Sequence, residues 1–278
     1  MKRLILVILS LFLMFTMAAQ TDIPAADTLP LRYKISLITC GTGEELYASF
    51  GHTAIRVQDH RLKLDEVYNY GTFSFNEEGF YRKFTMGKLN YWVAKEDYRV
   101  FVDFYRNEER FVKEQILDLD NASAEKIVKF LENNARPENK YYRYDFIYDN
   151  CATRVRDVFS MSLGEQFSYG QIMRGTQGTY RQVINQYLIN NHWSRFGINI
   201  VLGSRIDSVM TDHFSMFLPD FLYEGMKGAV YEGKSLVAED IEVVKATPPQ
   251  ERTFNAPFWM TFTLFIITLL VFLYSRTE

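Results

Sequence analysis

Two cysteines, Cys40 and Cys151, and four histidines, His52, His60, His192 and His213, are the residues of this 278-residue chain that can attack a carbonyl or move a proton near neutral pH. Cys151 stands in the stretch YDFIYDNCATRVRDVF, residues 144–159, where Asn150 behind Asp149 makes a good helix cap. The cysteine then falls in the first turn of a helix whose apolar stripe continues through Val155, Val158 and Phe159. A helix start offers free backbone N–H groups and a positive dipole end. Both favour a thiolate, and the same amides can receive charge developing on a carbonyl oxygen. The expectation is a thiol of lowered pKa placed as a nucleophile.

His52 is the best-placed base. In SFGHTAIRV it follows a glycine and opens a strand, so its ring at the sheet edge can face a helix start packed alongside, while Thr53, Ile55 and Val57 take the opposite face. His60 falls in a turn, and His192 and His213 fall in polar helical or loop contexts. Two other readings of Cys151 stand beside the catalytic one. It can be a buried structural residue, or it can form a disulfide with Cys40, as an exported chain favours.

Export is read from residues 1–19, in which Lys2 and Arg3 precede an uncharged apolar run ending in Ala18 and Ala19, the layout of a secretory signal. Residues 254–274 carry no charge and are long enough to cross a bilayer, with Trp259 and Tyr274 near the two interfaces and Arg276 favouring a cytoplasmic end. ATPPQER, residues 246–252, reads as a stiff linker into that span. The chain carries 31 Lys and Arg against 34 Asp and Glu, and a net charge of −3 offers no electrostatic footprint for nucleic acid. Its 18 Tyr and 23 Phe suit work against a lipid, or a well-packed core.

Between the ends, YKISLIT (33–39), HTAIRV (52–57), DEVYNYGTF (65–73), LNYWVA (89–94) and RFVKEQILDL (110–119) have the composition of strands. AEKIVKFLENNA (124–135) reads as a helix capped by Asn121 or Ser123, and GTYRQVINQYLINNHW (178–193) as another. Residues 30–160 therefore predict an α+β catalytic core with an antiparallel sheet. Residues 161–247 predict a helical or irregular extension of the same domain, and 254–274 a transmembrane helix. No metal-ligand spacing, Gly-rich phosphate loop or Gly-x-Ser-x-Gly elbow is present, so no cofactor is expected.

The stretches SLITCGTGEELYASFGHTAIRVQD, VYNYGTFSF and KYYRYDFIYDNCATRVRD and, more loosely, INIVLGSRIDSVM with FLPDFL resemble the periplasmic domain of the Lnb-type lipoprotein N-acyltransferases over roughly residues 31–220. A histidine followed by a cysteine at a helix start is also similar to the permuted papain-like arrangement of the NlpC/P60 superfamily, including its lecithin:retinol acyltransferase branch. The resemblance implies a permuted papain-like fold on the periplasmic side of a bacterial inner membrane. It further implies that Cys151 takes an acyl chain from a membrane phospholipid as a thioester, and that the α-amine of a diacylglyceryl-cysteine lipoprotein then receives it as an amide. His52 would deprotonate first the thiol and later the ammonium.

A third, orienting group is expected by analogy with a triad, and Asn69 is the choice, because a hairpin turning near Asp59 to Arg61 brings residues 67–69 opposite His52; Tyr68 and Asp65 are alternatives. Arg56 and Arg154 can hold a phosphate head group or form surface salt bridges. Tyr148, in YYRYDFIY, can line an acyl groove or pack in the core. Competing functions are a cysteine peptidase acting on cell-wall peptides and a non-catalytic membrane-tethered binding protein with a Cys40–Cys151 disulfide.

Overall fold

The computed structural model describes residues 30–76, 78, 79, 82, 83, 89–173, 178–246 and 254–276. The signal segment expected at 1–19 and most of the 246–252 linker lie outside the described residues. The chain divides after Leu31, and the elements below belong to the unit Arg32–Glu278.

Among the described residues the strands are β1 (Tyr33–Cys40), β2 (His52–Asp59), β3 (Leu64–Thr72), β4 (Asn90–Asp97), β5 (Val112–Leu117), β6 (Tyr141–Arg143), β7 (Phe167–Ser168), β8 (Val230–Tyr231), β9 (Lys234–Ser235) and β10 (Val237–Val244). Seven form one antiparallel sheet in the order β10-β5-β1-β2-β3-β4-β6, and β7-β8-β9 form a small second sheet. The helices are α1 (Tyr98–Asn107), α2 (Asn121–Asn134), α3 (Cys151–Leu163), α4 (Tyr180–Tyr187), α5 (His192–Leu202), α6 (Asp212–Ser215), α7 (Pro219–Lys227) and α8 (Ala256–Ser275). The architecture is α+β, with an antiparallel sheet and a C-terminal apolar helix.

The alternation of strand side chains decides which helix covers which face. Ile35, Leu37, Ile55, Val57, Tyr68 and Tyr70 point to one side, where they pack with α2 and α3. Ile38, Cys40, Ala54 and Val67 point to the other, where Phe101, Val102 and Tyr105 of α1 cover them. β1 is apolar toward both faces because it runs through the middle of the sheet. A third cluster, with Phe50, Ile147, Ile184, Leu188 and Phe217, joins α4 to the segment before α3.

Four elements differ from the sequence reading. α1 was not anticipated, because β4 runs into it without Gly or Pro; the start signal is Asp97, whose side chain accepts from the N–H groups of Arg99 and Val100. The cap of α2 is Asp120 rather than Asn121 or Ser123: its carboxylate takes the Ser123 N–H at 2.7 Å, while the Asn121 side chain accepts from Arg32 N at 2.7 Å. The single helix read over 178–193 is two, because Asn191 caps a new helix. The supposedly irregular extension ends in β10, which adds an edge strand beside β5; its exposed, acidic sequence carries little apolar signal.

α3 is the element that fixes Cys151. The Asn150 side chain accepts from Thr153 N at 2.9 Å, and the Thr153 hydroxyl accepts from Asn150 N at 2.8 Å, a reciprocal capping box. The Asn150 amide also donates to the carbonyls of Phe146 at 2.7 Å and Phe217 at 2.9 Å, tying the helix start to two other segments. Because Asn150 is buried, Asn150→Ala both removes a cap and strands two carbonyls. The expected cost is about 2–4 kcal/mol, measured as a lowered chemical denaturation midpoint of the full chain in detergent; an unchanged midpoint would refute it.

Candidate active site

β2 and β3 pair from Asp59–Leu64 to Ile55–Tyr68 and no further. From there β3 bulges, its register against β4 shifting between Asn69 and Thr72, with Gly71 at φ +90°. The two strands thus part at one end of the sheet, and the start of α3 fills the opening. Near this opening the backbone N–H groups of Thr53, Ala152 and Cys151 lie close enough to the Cys151 sulfur to favour its thiolate.

Cys151 reaches this opening from the α2/α3 side of the sheet, and His52 from the α1 side, where its ring stacks on Tyr105 (6.4 Å between centroids, 13° between planes) and meets Phe101. Gly71 lies between them. A Cβ at position 71 would stand 3.4 Å from Cβ of Cys151, 3.9 Å from Cε1 of His52 and 3.9 Å from the Tyr142 hydroxyl. Glycine therefore leaves position 71 without a side chain where Cys151, His52 and Tyr142 converge, and the positive φ itself favours glycine.

Asn69, the third residue read from sequence, meets His52: Nε2 and Oδ1 are 2.6 Å apart. The Asn69 amide nitrogen donates to Glu96 Oε1 at 2.8 Å. This carboxylate accepts only, so it sets the amide orientation, presents Oδ1 to the imidazole and places the imidazole proton on Nε2. Nδ1 then keeps its lone pair. Glu96 was not foreseen; its diagonal position to Asn69 across the β3–β4 ladder, where Asn69 faces Ala94 and Val67 faces Glu96, depends on a register that sequence does not display.

Burial governs the protonation of both groups. It pushes His52 down to about 4, with the Asn69 hydrogen bond opposing and the Arg110 guanidinium adding to the fall. Arg110 is itself buried, donating to the Gly41 carbonyl at 2.8 Å and lying 4.6 Å from the Tyr105 ring centroid. Burial also pushes the Cys151 thiol up to about 11, against the three backbone N–H groups that favour its thiolate. The lowered cysteine pKa expected from a helix start is thus overturned, because desolvation outweighs the dipole. The resting pair is a neutral thiol and a neutral imidazole.

Tyr142 was missed by the sequence reading, which treated the aromatic run before the cysteine as a groove lining or as packing. Its hydroxyl is buried and has no hydrogen-bond partner among the described residues, yet it lies at the Gly71 opening. Its ring lies 4.0 Å from the Arg154 guanidinium. A buried hydroxyl left unpaired beside a cysteine and a histidine is a cue that only coordinates supply.

The other residues singled out divide between two places. Arg56 is committed to carboxylates, bonding Asp65 at 2.7 and 2.8 Å and Glu114 at 2.9 and 3.0 Å, with its guanidinium 3.4 Å from the Tyr98 centroid. The salt-bridge reading of Arg56 therefore describes it, though the Glu114 partner is buried rather than at the surface. Asp65 is held by Arg56, and Tyr68 is in the core below α2 and α3. Arg154 pairs with Asp149 and, with exposed Tyr148 and Tyr70, lines a cleft of about 320 Å³. Cys40 is buried, and both cysteines are free, so the disulfide reading is corrected. Among the described residues no cluster of His, Cys, Asp and Glu can hold a metal ion.

The family model of the Lnb N-terminal periplasmic domain matches residues 22–186, which include His52, Asn69, Tyr142 and Cys151. No curated protein and no solved structure matches the chain.

With both thiols free and Cys151 held protonated, iodoacetamide should alkylate Cys151 without prior reduction, at a rate that keeps climbing with pH up to about 10. A rate that levels off by pH 7, read by mass spectrometry of the tryptic peptide, would mean a resting thiolate instead.

Proposed function

We propose, for a chain that belongs to the family of the Lnb N-terminal periplasmic domain, that the opening between β2 and β3 is a thiol acyltransferase centre working on lipids. Membership ties the chain to lipoprotein modification, and α8, 20 residues long with a mean hydropathy of 2.1, makes it a membrane-anchored protein whose main domain is periplasmic.

In the first half-reaction Cys151 Sγ attacks the ester carbonyl of a phospholipid while Nδ1 of His52 takes the thiol proton. The C–O bond breaks, the proton passes to the departing lysophospholipid oxygen, and an acyl thioester remains on Cys151. In the second, the α-amine of a diacylglyceryl-cysteine lipoprotein attacks the thioester, His52 accepts the ammonium proton, and the C–S bond breaks to return the thiol and an amide. The orphaned Tyr142 hydroxyl and the Thr53 and Ala152 N–H groups are the donors for the carbonyl oxygen as it becomes negative.

The observation that carries this reading is the hydrogen bond from Nε2 of His52 to Asn69, which leaves the Nδ1 lone pair free on a ring that, like Cys151, borders Gly71. Magnitudes favour concerted proton removal over a preformed ion pair. With a thiol at about 11, only about one in ten thousand is ionised at pH 7, so the base must act during attack. Arg154 and Tyr148, on the cleft beside α3, are assigned to the donor head group, with Asp149 as the resting partner that the phosphate displaces.

The test uses the full chain in phospholipid micelles with a diacylglyceryl-cysteine peptide. Cys151 should gain the mass of one acyl chain with release of lysophospholipid, followed by transfer to the peptide amine. Cys151→Ser should abolish both steps, His52→Ala should lower kcat by about 10²–10⁴-fold, and Tyr142→Phe by about 10²–10³-fold. The kcat/KM should rise as His52 loses its proton near pH 4 and stay level through neutrality. Unchanged triacylated lipoprotein in cells carrying Cys151→Ser would sink the proposal. Release of peptides from peptidoglycan by the wild-type chain would replace it with a peptidase.

A further inference from the structure

We propose that α5 is an interfacial helix, lying along the surface of the bilayer that α8 spans and inserting its outer face among the acyl chains near the glycerol backbone. The proposal makes no use of Cys151 and goes beyond the acyl-transfer reading.

α5 is apolar on two opposite faces, and one of them packs on the protein's own core. Ile198 and Leu202 point inward and pack on the cluster around Ile184, Leu188 and Phe217. The polar residue between them, Asn199, is held by Arg181, which also bonds the Gly203 carbonyl at 2.6 Å and Asp207, so the helix is fixed in its rotation. That rotation turns Trp193, Phe196 and Ile200 outward at a spacing of three and four residues, one helical stripe. They are 49%, 46% and 65% exposed, and no residue of α5 is fully buried. A soluble surface helix places its polar residues on that side; here the side facing away from the core carries a tryptophan, a phenylalanine and an isoleucine.

The occupant follows from the neighbour. α8 packs against α5, and within α8 the buried residue is Pro257 in its first turn, so the domain meets the span near its N-terminal end and leaves the rest bare. The lipid that must surround α8 therefore begins beside α5. Trp193 and Phe196, edge to face at 6.3 Å, are side chains favoured at that boundary, the indole keeping its N–H toward the head groups.

The experiment uses the full chain with Trp92→Phe and Trp259→Phe, which leaves Trp193 as the single tryptophan of the three in the sequence. It is reconstituted into phosphatidylcholine vesicles whose acyl chains carry bromine either near the glycerol or near the bilayer centre. Trp193 emission should be lost more to the shallow than to the deep bromines and should resist acrylamide in the water. Adding Phe196→Ser and Ile200→Ser should reduce the bromine effect, with far-ultraviolet circular dichroism unchanged to show that the fold persists. Because Cys151→Ser should give the same quenching, failure here is separable from failure of the acyl-transfer reading. Equal emission in brominated and plain vesicles, with full access to acrylamide, would overturn the proposal by placing the face in water. Equal emission with protection that grows with protein density would overturn it in favour of a second copy of the chain.

Discussion

Beyond Ile55 and Tyr68, β2 and β3 share no ladder, and a sheet that loses a ladder must find other acceptors for the backbone N–H groups it frees. Where the ladder ends, the Thr53 N–H lies close enough to the Cys151 sulfur to favour its thiolate, and α3 packs against β2. This packing joins the two halves of the site. The strand that carries His52 and the helix that opens with Cys151 are thus held together at one end of the sheet. The bulge in β3 makes the space, Gly71 keeps it empty, and the Asn150 cap holds the helix start that fills it. Each of these features is costly alone: a broken ladder, a left-handed residue, a buried helix end. Together each satisfies the vacancy another creates.

The charge distribution around the pair is asymmetric. On the α1 side, Arg110 is buried beside Tyr105, and Arg56 is locked between Asp65 and Glu114 over Tyr98, so every strong charge near His52 is either paired or held at a distance. Arg110 works against an imidazolium, as does burial. The surroundings therefore favour a neutral imidazole, and the groups hydrogen-bonded in line behind it are Asn69 and Glu96.

Much of the framework was legible in the sequence because it rests on local rules. Strand-like composition gave β1, β2 and β3 their places and alternation gave β5, Asn150 announced α3, and the uncharged run announced α8. Asn69 does meet His52, but not through the register expected of the hairpin: Val67 and Tyr68 come opposite Arg56 and Ile55, and the contact is made past the end of the ladder. What escaped was of a different kind. α1 follows β4 without a breaker, so two periodicities overlap. β10 is an exposed edge strand and needs few apolar residues. The roles of Glu96 and Tyr142 depend on registers between distant strands, and the protonation of Cys151 depends on how much water is removed. Local composition encodes a helix dipole but not burial, and here burial decided the sign.

That sign bears on how long the centre survives between turnovers. The periplasm is kept oxidising, and conversion of cysteine to sulfenic acid proceeds through the thiolate. On the mechanism we propose, a sulfur that stays protonated at rest and ionises only while His52 accepts its proton exposes its reactive form for the duration of one attack. The same desolvation that disfavours ionisation would then act as preservation, keeping the thiol reduced in a compartment without a thiol buffer and, on the proposed mechanism, reserving its reactivity for a bound acyl group.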